Sequence, residues 1–319
     1  MTFLPLFDLT DGETFRTPGN SMLGLELGPT QVLAALIERG RVVKRHAHAF
    51  TPGGSPDVVL DSIVRAAQAL EATPKAAGLA IPGELDGSGR CWGMAELPGF
   101  DGVLIAEEVA ARLGCPVSIE SDGPSAALAE RLHGRGRGHT NLVTVLLGER
   151  LSAGLVIDGQ IRRGRSGFAA SIAHLRVDSS PTARSCVCGR SGCLNLYASL
   201  SALAQDYAEI TGKTATRLEV AQLALRGDEA AREAVERVAA ALGQGLASIQ
   251  NVLDLDAITL VTEPPGFFGL LQAALREALR SSTFGAPAGE VPVLESLLGT
   301  DAVLIGAAEL AAHAVAPSA

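Results

Sequence analysis

Four residues in the middle of the chain have the types and spacing of a metal site: His174, Cys186, Cys188 and Cys193. Three thiolates and one imidazole complete a tetrahedral Zn²⁺ shell and leave no open position for water or substrate. The glycines between Cys188 and Cys193 let the chain curl around one ion. The sequence therefore predicts one structural zinc ion, and the alternative is a loop of ordinary reduced thiols.

The elements that must position this site occur in two similar segments. Residues 23–43 have the pattern strand, tight turn, strand, turn, strand, and residues 142–161 repeat it. Gly28 and Gly40 are twelve positions apart, and Gly148 and Gly159 are eleven apart, so the segments superpose with a single-residue gap. This internal repeat indicates a fold built by duplication.

Helices and short buried strands follow each repeated segment. The apolar spacing predicts helices over 58–70, 107–113, 217–252, 269–279 and 302–314, and strands over 76–81, 117–119 and 257–261. Alternating strands and helices in two matched halves predict an α/β protein with two lobes. We expect one lobe to comprise residues 1–120 plus 299–319 and the other, with the zinc loop, to comprise residues 121–298.

Composition and charge exclude several function classes. The 319 residues are 47% hydrophobic and carry a formal charge of −9, which disfavours direct nucleic-acid binding. The small basic cluster Arg162, Arg163 and Arg165 is interpreted as a solvated loop. No apolar run reaches the length of a membrane span, and residues 1–22 do not resemble a signal peptide. Five cysteines, three of them clustered, favour reduced thiols and a cytoplasmic location.

Several residues carry no functional prediction. Cys91 and Cys115 are isolated and are predicted to be small buried hydrophobes. Trp92 and the nine phenylalanines form no stripe and are predicted to lie in the core.

The metal motif and several other motifs resemble the ROK family of sugar kinases and sugar-responsive repressors, which has an actin-like (ribonuclease H-like) and hexokinase-like fold. The resemblance covers nearly the whole chain after residue 22. Besides the His and Cys-x-Cys-Gly-x-x-Gly-Cys motif, it rests on Ala80-Ile81-Pro82-Gly83, Leu97-Pro98-Gly99-Phe100, Glu120-Ser121-Asp122, Ala126–Glu130 and Gly306-Ala307-Ala308.

The resemblance implies a cleft between the lobes that holds a sugar together with ATP and Mg²⁺. Asp122 occupies the position of the general base that takes the proton of the attacking sugar hydroxyl, although it also suits the N-cap of a helix that begins near Pro124. The resemblance also implies a homodimer. It assigns nucleotide contacts to Gly28, Thr30 and Gly148, and sugar contacts to Glu120, Ser121, Asp122, Ser171, His174 and Asn195.

The chain departs from the family in all three nucleotide loops. The first loop is Glu26-Leu27-Gly28-Pro29-Thr30-Gln31, where Pro29 removes an N–H donor and Gln31 lacks the charge of the family's lysine. The second loop, Gly148–Gly154, carries Glu149 and Arg150 where the family has small residues. The third loop, Thr262–Gly266, keeps one glycine and contains two prolines. We expect weakened binding of ATP.

The sugar contacts are also reduced. Ser121, Ser171 and Asn195 occupy positions where the family uses an asparagine and two glutamates. Each weakened charge-assisted hydrogen bond costs on the order of 1–2 kcal/mol.

Three functional hypotheses follow. The first is a weak or inactive kinase that acts as a ligand-binding or regulatory protein, and the second is an active sugar kinase with an unusual substrate. The third is a sugar-responsive repressor. A winged helix needs roughly 60 residues, and 22 residues precede the first strand, so we do not expect one in this chain.

Overall fold

The computed structural model describes residues 21–315 except 52, 95, 96 and 98. The predictions made for residues 1–20 and for Pro98 therefore lie outside the described residues. The chain divides into two compact units. The first comprises the residues up to Gly138, Gly154–Ala170 and the residues from Thr300 onward, and the second comprises His139–Ala153 and Ser171–Gly299. The expected domain boundary at residues 120 and 121 stays a prediction.

The first unit contains a five-stranded sheet in which an antiparallel hairpin continues into parallel strands. The tight turn forms at Gly28, whose N–H donates to the carbonyl oxygen of Gln31 at 2.8 Å. The carboxyl ends of the parallel strands β1, β4 and β7 lie along one edge of the sheet. In spatial order the strands are β3 (Arg41–Ala49), β2 (Gln31–Glu38), β1 (Met22–Leu27), β4 (Ala77–Ile81) and β7 (Val117–Ser121).

Helices pack against this sheet, and a small hairpin follows β4. The C-terminal helix lies so close to β4 that a Cβ atom added to Gly78 would be 1.6 Å from the carbonyl oxygen of Ala307. Only glycine permits this approach. The helices are α1 (Pro56–Gln68), α2 (Ile105–Leu113), α3 (Asp122–His133) and the C-terminal α9 (Asp301–Val315), and the hairpin pairs β5 (Glu84–Leu85) with β6 (Cys91–Trp92).

A second five-stranded sheet repeats the order of the first. Its central strands β8 and β11 are parallel, and β12 extends the parallel part of the sheet. This repetition agrees with the predicted duplicated α/β fold. In spatial order the strands are β10 (Gln160–Ile161), β9 (Leu151–Ile157), β8 (Leu142–Leu147), β11 (Ala257–Thr262) and β12 (Val293–Glu295).

The helices of the second unit correct one prediction. Residues 217–252 were predicted as one long helical stretch, but the stretch is interrupted between α5 and α6. Asp228 is the N-cap of α6, and its carboxylate accepts a hydrogen bond from the N–H of Ala231 at 2.8 Å. A capping aspartate favours a new helix start over continuation. The helices are α4 (Leu200–Thr211), α5 (Arg217–Leu225), α6 (Glu229–Leu253), α7 (Phe267–Ser282) and α8 (Ala286–Gly289).

The prediction that all aromatic residues lie in the core is partly wrong. Phe100 and Phe267 are fully buried, but Trp92, Phe168 and Phe284 are exposed. The prediction for Cys91 is confirmed because its side chain is buried, and Cys115 is half-buried against the same core.

Within the part of the chain that the structure describes, no helix is long and apolar enough to cross a bilayer.

Candidate metal centre and sugar-site residues

The four predicted metal ligands form one cluster. Their ligand atoms all lie within 4.8 Å of one another. Cys186 Sγ lies 3.7 Å from His174 Nδ1, and Cys188 Sγ lies 3.6 Å from Cys193 Sγ. Zinc bond lengths of about 2.0–2.1 Å to nitrogen and 2.3 Å to sulfur give tetrahedral edges of about 3.5–3.8 Å, so the donor set and these two distances fit this ion. The structure therefore brings together a His-Cys₃ cluster that could hold a metal.

Local backbone structure positions the ligands. His174 ends the short 3-10 helix Ile172–His174, and Cys193 is the N-cap of a second one, Leu194–Leu196. The N–H of Cys186 donates to the carbonyl oxygen of Arg190 at 2.7 Å, which closes the loop between the cysteines. A Cβ atom at Gly192 would lie 1.8 Å from the carbonyl oxygen of Asp178, so a side chain there would displace this loop.

The thiols of the cluster differ in their acidity. The pKa of Cys188 is lowered to about 6, because the backbone N–H and the side chain of Arg190 donate to its sulfur. Burial raises the pKa of Cys193 to about 12. Because zinc binds thiolates and burial favours the protonated thiol of Cys193, metal binding must release protons.

A polar network outside the ligand set connects the cysteine loop to α4. The guanidinium of Arg184 donates to the carboxylate of Asp206, to Glu209 and to the carbonyl oxygen of Leu196, and it lies 5.0 Å from the ring centroid of Tyr197. The hydroxyl of Tyr197 in turn donates to Asp178 at 2.7 Å. Arg184 could not be predicted from the sequence, since nothing in the local pattern separates it from a solvated arginine.

The second phosphate loop is fixed by residues of its own unit. The N–H of Leu151 donates to Asn195 Oδ1 at 2.6 Å, and the carbonyl oxygen of Gly148 accepts from the N–H of Leu200 at 2.9 Å. Glu149 forms an ion pair with Arg217 at 2.9 Å. One predicted sugar contact, Asn195, therefore uses its side-chain oxygen to hold the predicted phosphate loop.

The third predicted nucleotide loop lies beside the second. It begins at the last residue of β11, Thr262, which pairs with Leu147, the residue immediately before Gly148. The loop contains a cis peptide bond between Glu263 and Pro264. The N–H of Phe267 at the start of α7 donates to the carbonyl oxygen of Pro264 at 3.0 Å.

The predicted catalytic segment lies at the carboxyl end of β7. Asp122 is the first residue of α3 and is half-buried, and its Oδ1 accepts from the N–H of Gly123 at 2.7 Å. Ser121, which is buried, is the N-cap of α3. The alternative role of Asp122 as the N-cap of a helix near Pro124 is therefore wrong, because the helix begins two residues earlier.

Glu120 is paired with an arginine that was predicted to be solvated. Glu120 is 4% exposed, its Oε2 accepts from Arg163 Nε at 2.6 Å, and its Oε1 accepts from the N–H of Ser121 at 3.0 Å. A carboxylate this buried requires a partner. Arg162 and Arg165 are exposed as expected, but the prediction is wrong for Arg163.

The first phosphate loop lies at the same sheet edge as Asp122. Glu26 pairs with Ala80, which pairs with Glu120, so Gly28 and Asp122 follow the two parallel strands that flank β4 in one sheet. The N–H of Gly28 is used within the turn, and the carbonyl oxygen of Thr30 accepts from the N–H of Phe50 at 2.9 Å. The turn therefore offers few free donors to a phosphate.

Ala170 precedes the predicted sugar contact Ser171 and has a left-handed backbone with φ 66°. This conformation costs a non-glycine residue about 1–2 kcal/mol, whereas glycine adopts it without strain. Ala170→Gly should therefore raise the free energy of unfolding by about 0.5–1 kcal/mol, measured by urea denaturation. Ala173→Gly, in the 3-10 helix Ile172–His174, is the matched control and should lower it. Equal destabilisation by both changes would contradict the strain argument.

Comparison with known proteins then decides the family. The model of the ROK family matches residues 22–314. The chain belongs to the ROK family. It is 28% identical to the glucokinase of Streptomyces coelicolor over 91% of this chain and 96% of that protein. It is 23% identical to the xylose repressor of Bacillus subtilis over 92% of this chain and 77% of that protein.

A solved structure of a ROK family glucokinase from Streptomyces griseus, in complex with glucose and AMPPNP, has a TM-score of 0.82 to this chain at 26% identity. The match covers 91% of this chain and 99% of the glucokinase chain. The predicted family and the predicted actin-like fold are therefore confirmed. ROK relatives include both kinases and repressors, so the function must be argued from this chain's own residues.

Proposed function

We propose that this ROK protein binds a sugar, holds a structural zinc ion and transfers phosphoryl groups poorly or not at all. In this proposal the sugar contacts are those that the family resemblance assigns, and Asp122 accepts a hydroxyl hydrogen bond. His174 directs Nδ1 towards Cys186 Sγ, which leaves Nε2 as a donor for a sugar hydroxyl when the metal is bound. The metal holds the loop and takes no part in chemistry.

The state of the second phosphate loop carries the proposal. A loop that binds phosphate presents free backbone N–H groups, but the N–H of Leu151 is already taken by Asn195. Glu149 adds a negative charge whose partner, Arg217, comes from the same unit. This ion pair leaves no net positive charge to attract ATP, and the occupied N–H removes a donor, so this loop disfavours ATP. Pro29, in the turn after β1, has no N–H to donate to a phosphate and supports the same conclusion.

Titration with Mg-ATP tests this function. We expect no calorimetric signal at millimolar Mg-ATP and no ADP formation with common hexoses or amino sugars. Titration with the same sugars in the absence of nucleotide should give measurable binding. The absence of sugar binding, or micromolar binding of Mg-ATP, would contradict the proposal.

The second candidate is an ATP-dependent sugar kinase in which Asp122 is the general base. Its support is that Asp122 stays at the first turn of α3, at the same sheet edge as Gly28. Asp122→Asn distinguishes the two functions. ADP formation in the unmodified protein that is lost in Asp122→Asn would establish the kinase, whereas ADP formation that persists in the variant reports a contaminating ATPase.

Two further parts of the proposal concern assembly and location. Three metal-binding thiols need a reducing compartment, which supports a cytoplasmic location. The homodimer rests on the family resemblance, and sedimentation of the purified protein tests it.

A further inference from the structure

The single tryptophan of the chain is exposed but held in one orientation. Trp92 is 41% exposed, and its indole Nε1 donates to Asp86 Oδ2 at 2.7 Å. Asp86 Oδ1 accepts from Ser88 and from the N–H of Arg90. These bonds close the β5–β6 hairpin. The indole is therefore ordered before any ligand arrives, which reduces the entropy lost on binding.

This hairpin lies beside the segment that contains Asp122. Gly83 follows β4 by two residues, and a Cβ atom there would be 2.7 Å from the carbonyl oxygen of Trp92. The last residue of β4, Ile81, pairs with Ser121, which precedes Asp122. Trp92 thus belongs to the carboxyl edge of the parallel strands, where open α/β sheets bind their ligands.

The loop next to the indole adds polar groups. Asp101 Oδ1 accepts from the N–H of Gly93 at 2.9 Å, and Asp101 is exposed. The guanidinium of Arg90 donates to the carbonyl oxygen of Gly102, and the indole ring passes close to Gly102. An ordered aromatic surface beside an exposed carboxylate suits a sugar ring, whose C–H groups pack on the ring while its hydroxyls donate to the carboxylate.

We propose that Trp92 and Asp101 form a second sugar-ring subsite beside Asp122, so that the preferred ligand is a disaccharide or a longer glycoside. This inference rests on the proposed function, because the first ring must lie at Asp122. A carboxylate at the rim selects neutral, hydroxyl-rich ligands and disfavours sugar phosphates. A protein partner at this surface is the competing occupant.

Because Trp92 is the only tryptophan, its fluorescence reports on the subsite directly. The unmodified full chain is titrated with glucose, maltose, cellobiose and sucrose, with calorimetry in parallel. We expect at least one disaccharide to bind about tenfold or more tightly than glucose and to change the indole emission, whereas glucose leaves it nearly unchanged.

Trp92→Ala should weaken disaccharide binding by about tenfold and leave glucose binding unchanged. Phe284→Ala is the matched control, since Phe284 is an exposed aromatic residue of the second unit and its removal should change neither affinity. Melting temperatures of both variants establish that they are folded.

Equal affinities for glucose and all three disaccharides, or an unchanged disaccharide affinity in Trp92→Ala, would overturn the subsite while sugar binding at Asp122 stands. If no sugar binds to the unmodified chain, the proposed function fails and the subsite fails with it. A fluorescence change that requires a second protein and no sugar would assign the surface to a partner.

Discussion

Cys193→Ser is expected to lower the free energy of unfolding by at least about 3 kcal/mol and to remove stoichiometric metal from the protein. Cys193 is 1% exposed and is the N-cap of the 3-10 helix Leu194–Leu196. A bound zinc ion would balance the buried thiolate, and a closed site contributes its binding energy to folding. Elemental analysis of untagged protein should find one zinc per chain before the substitution and less than a tenth afterwards.

The effect should extend to the second phosphate loop. Asn195 follows Cys193 by two residues and accepts the N–H of Leu151, so loss of the metal should expose this amide. We expect faster hydrogen exchange at Leu151 in Cys193→Ser and after chelation of the metal.

Cys115→Ser provides the control for both measurements. Cys115 is half-buried and lies outside the metal cluster. Its replacement by serine should therefore change the free energy of unfolding of the protein by less than about 1 kcal/mol. An unmodified protein without stoichiometric metal would contradict the zinc assignment. Equal effects of the two serine variants would show that burial of a thiol, and not the metal, stabilises the loop.

The metal cluster could be predicted from the sequence because its ligands are close along the chain and because only cysteine supplies a thiolate ligand. The repeated hairpins could also be predicted, since alternating apolar residues and turn residues are local signals. The interruption between α5 and α6 was missed because it is only three residues long, residues 226–228, and its signals are Gly227 and the capping aspartate Asp228.

The partners of the site residues could not be predicted in the same way. Arg163 meets Glu120 across 43 positions, and Arg184 meets Asp206 across 22. A basic residue in a loop has the same local pattern whether solvent or a buried carboxylate faces it. Exposure of Trp92 was missed for a related reason, because hydrophobic character predicts burial only on average.

Arg163→Met is expected to lower the free energy of unfolding by about 3–5 kcal/mol, because it leaves the carboxylate of Glu120 buried without its partner. Arg162→Met, at an exposed position, should change it by less than about 0.5 kcal/mol. Adding Glu120→Gln to Arg163→Met should recover most of the lost free energy of unfolding, since burying a neutral amide costs far less free energy than burying an unpaired charge. Urea denaturation of the unmodified protein, Arg163→Met, Glu120→Gln and the double variant completes the double-mutant cycle and gives the coupling energy of the pair. A loss at Arg163 no larger than that at Arg162, or a double variant as unstable as Arg163→Met alone, would mean that the ion pair does not hold Glu120 beside Asp122.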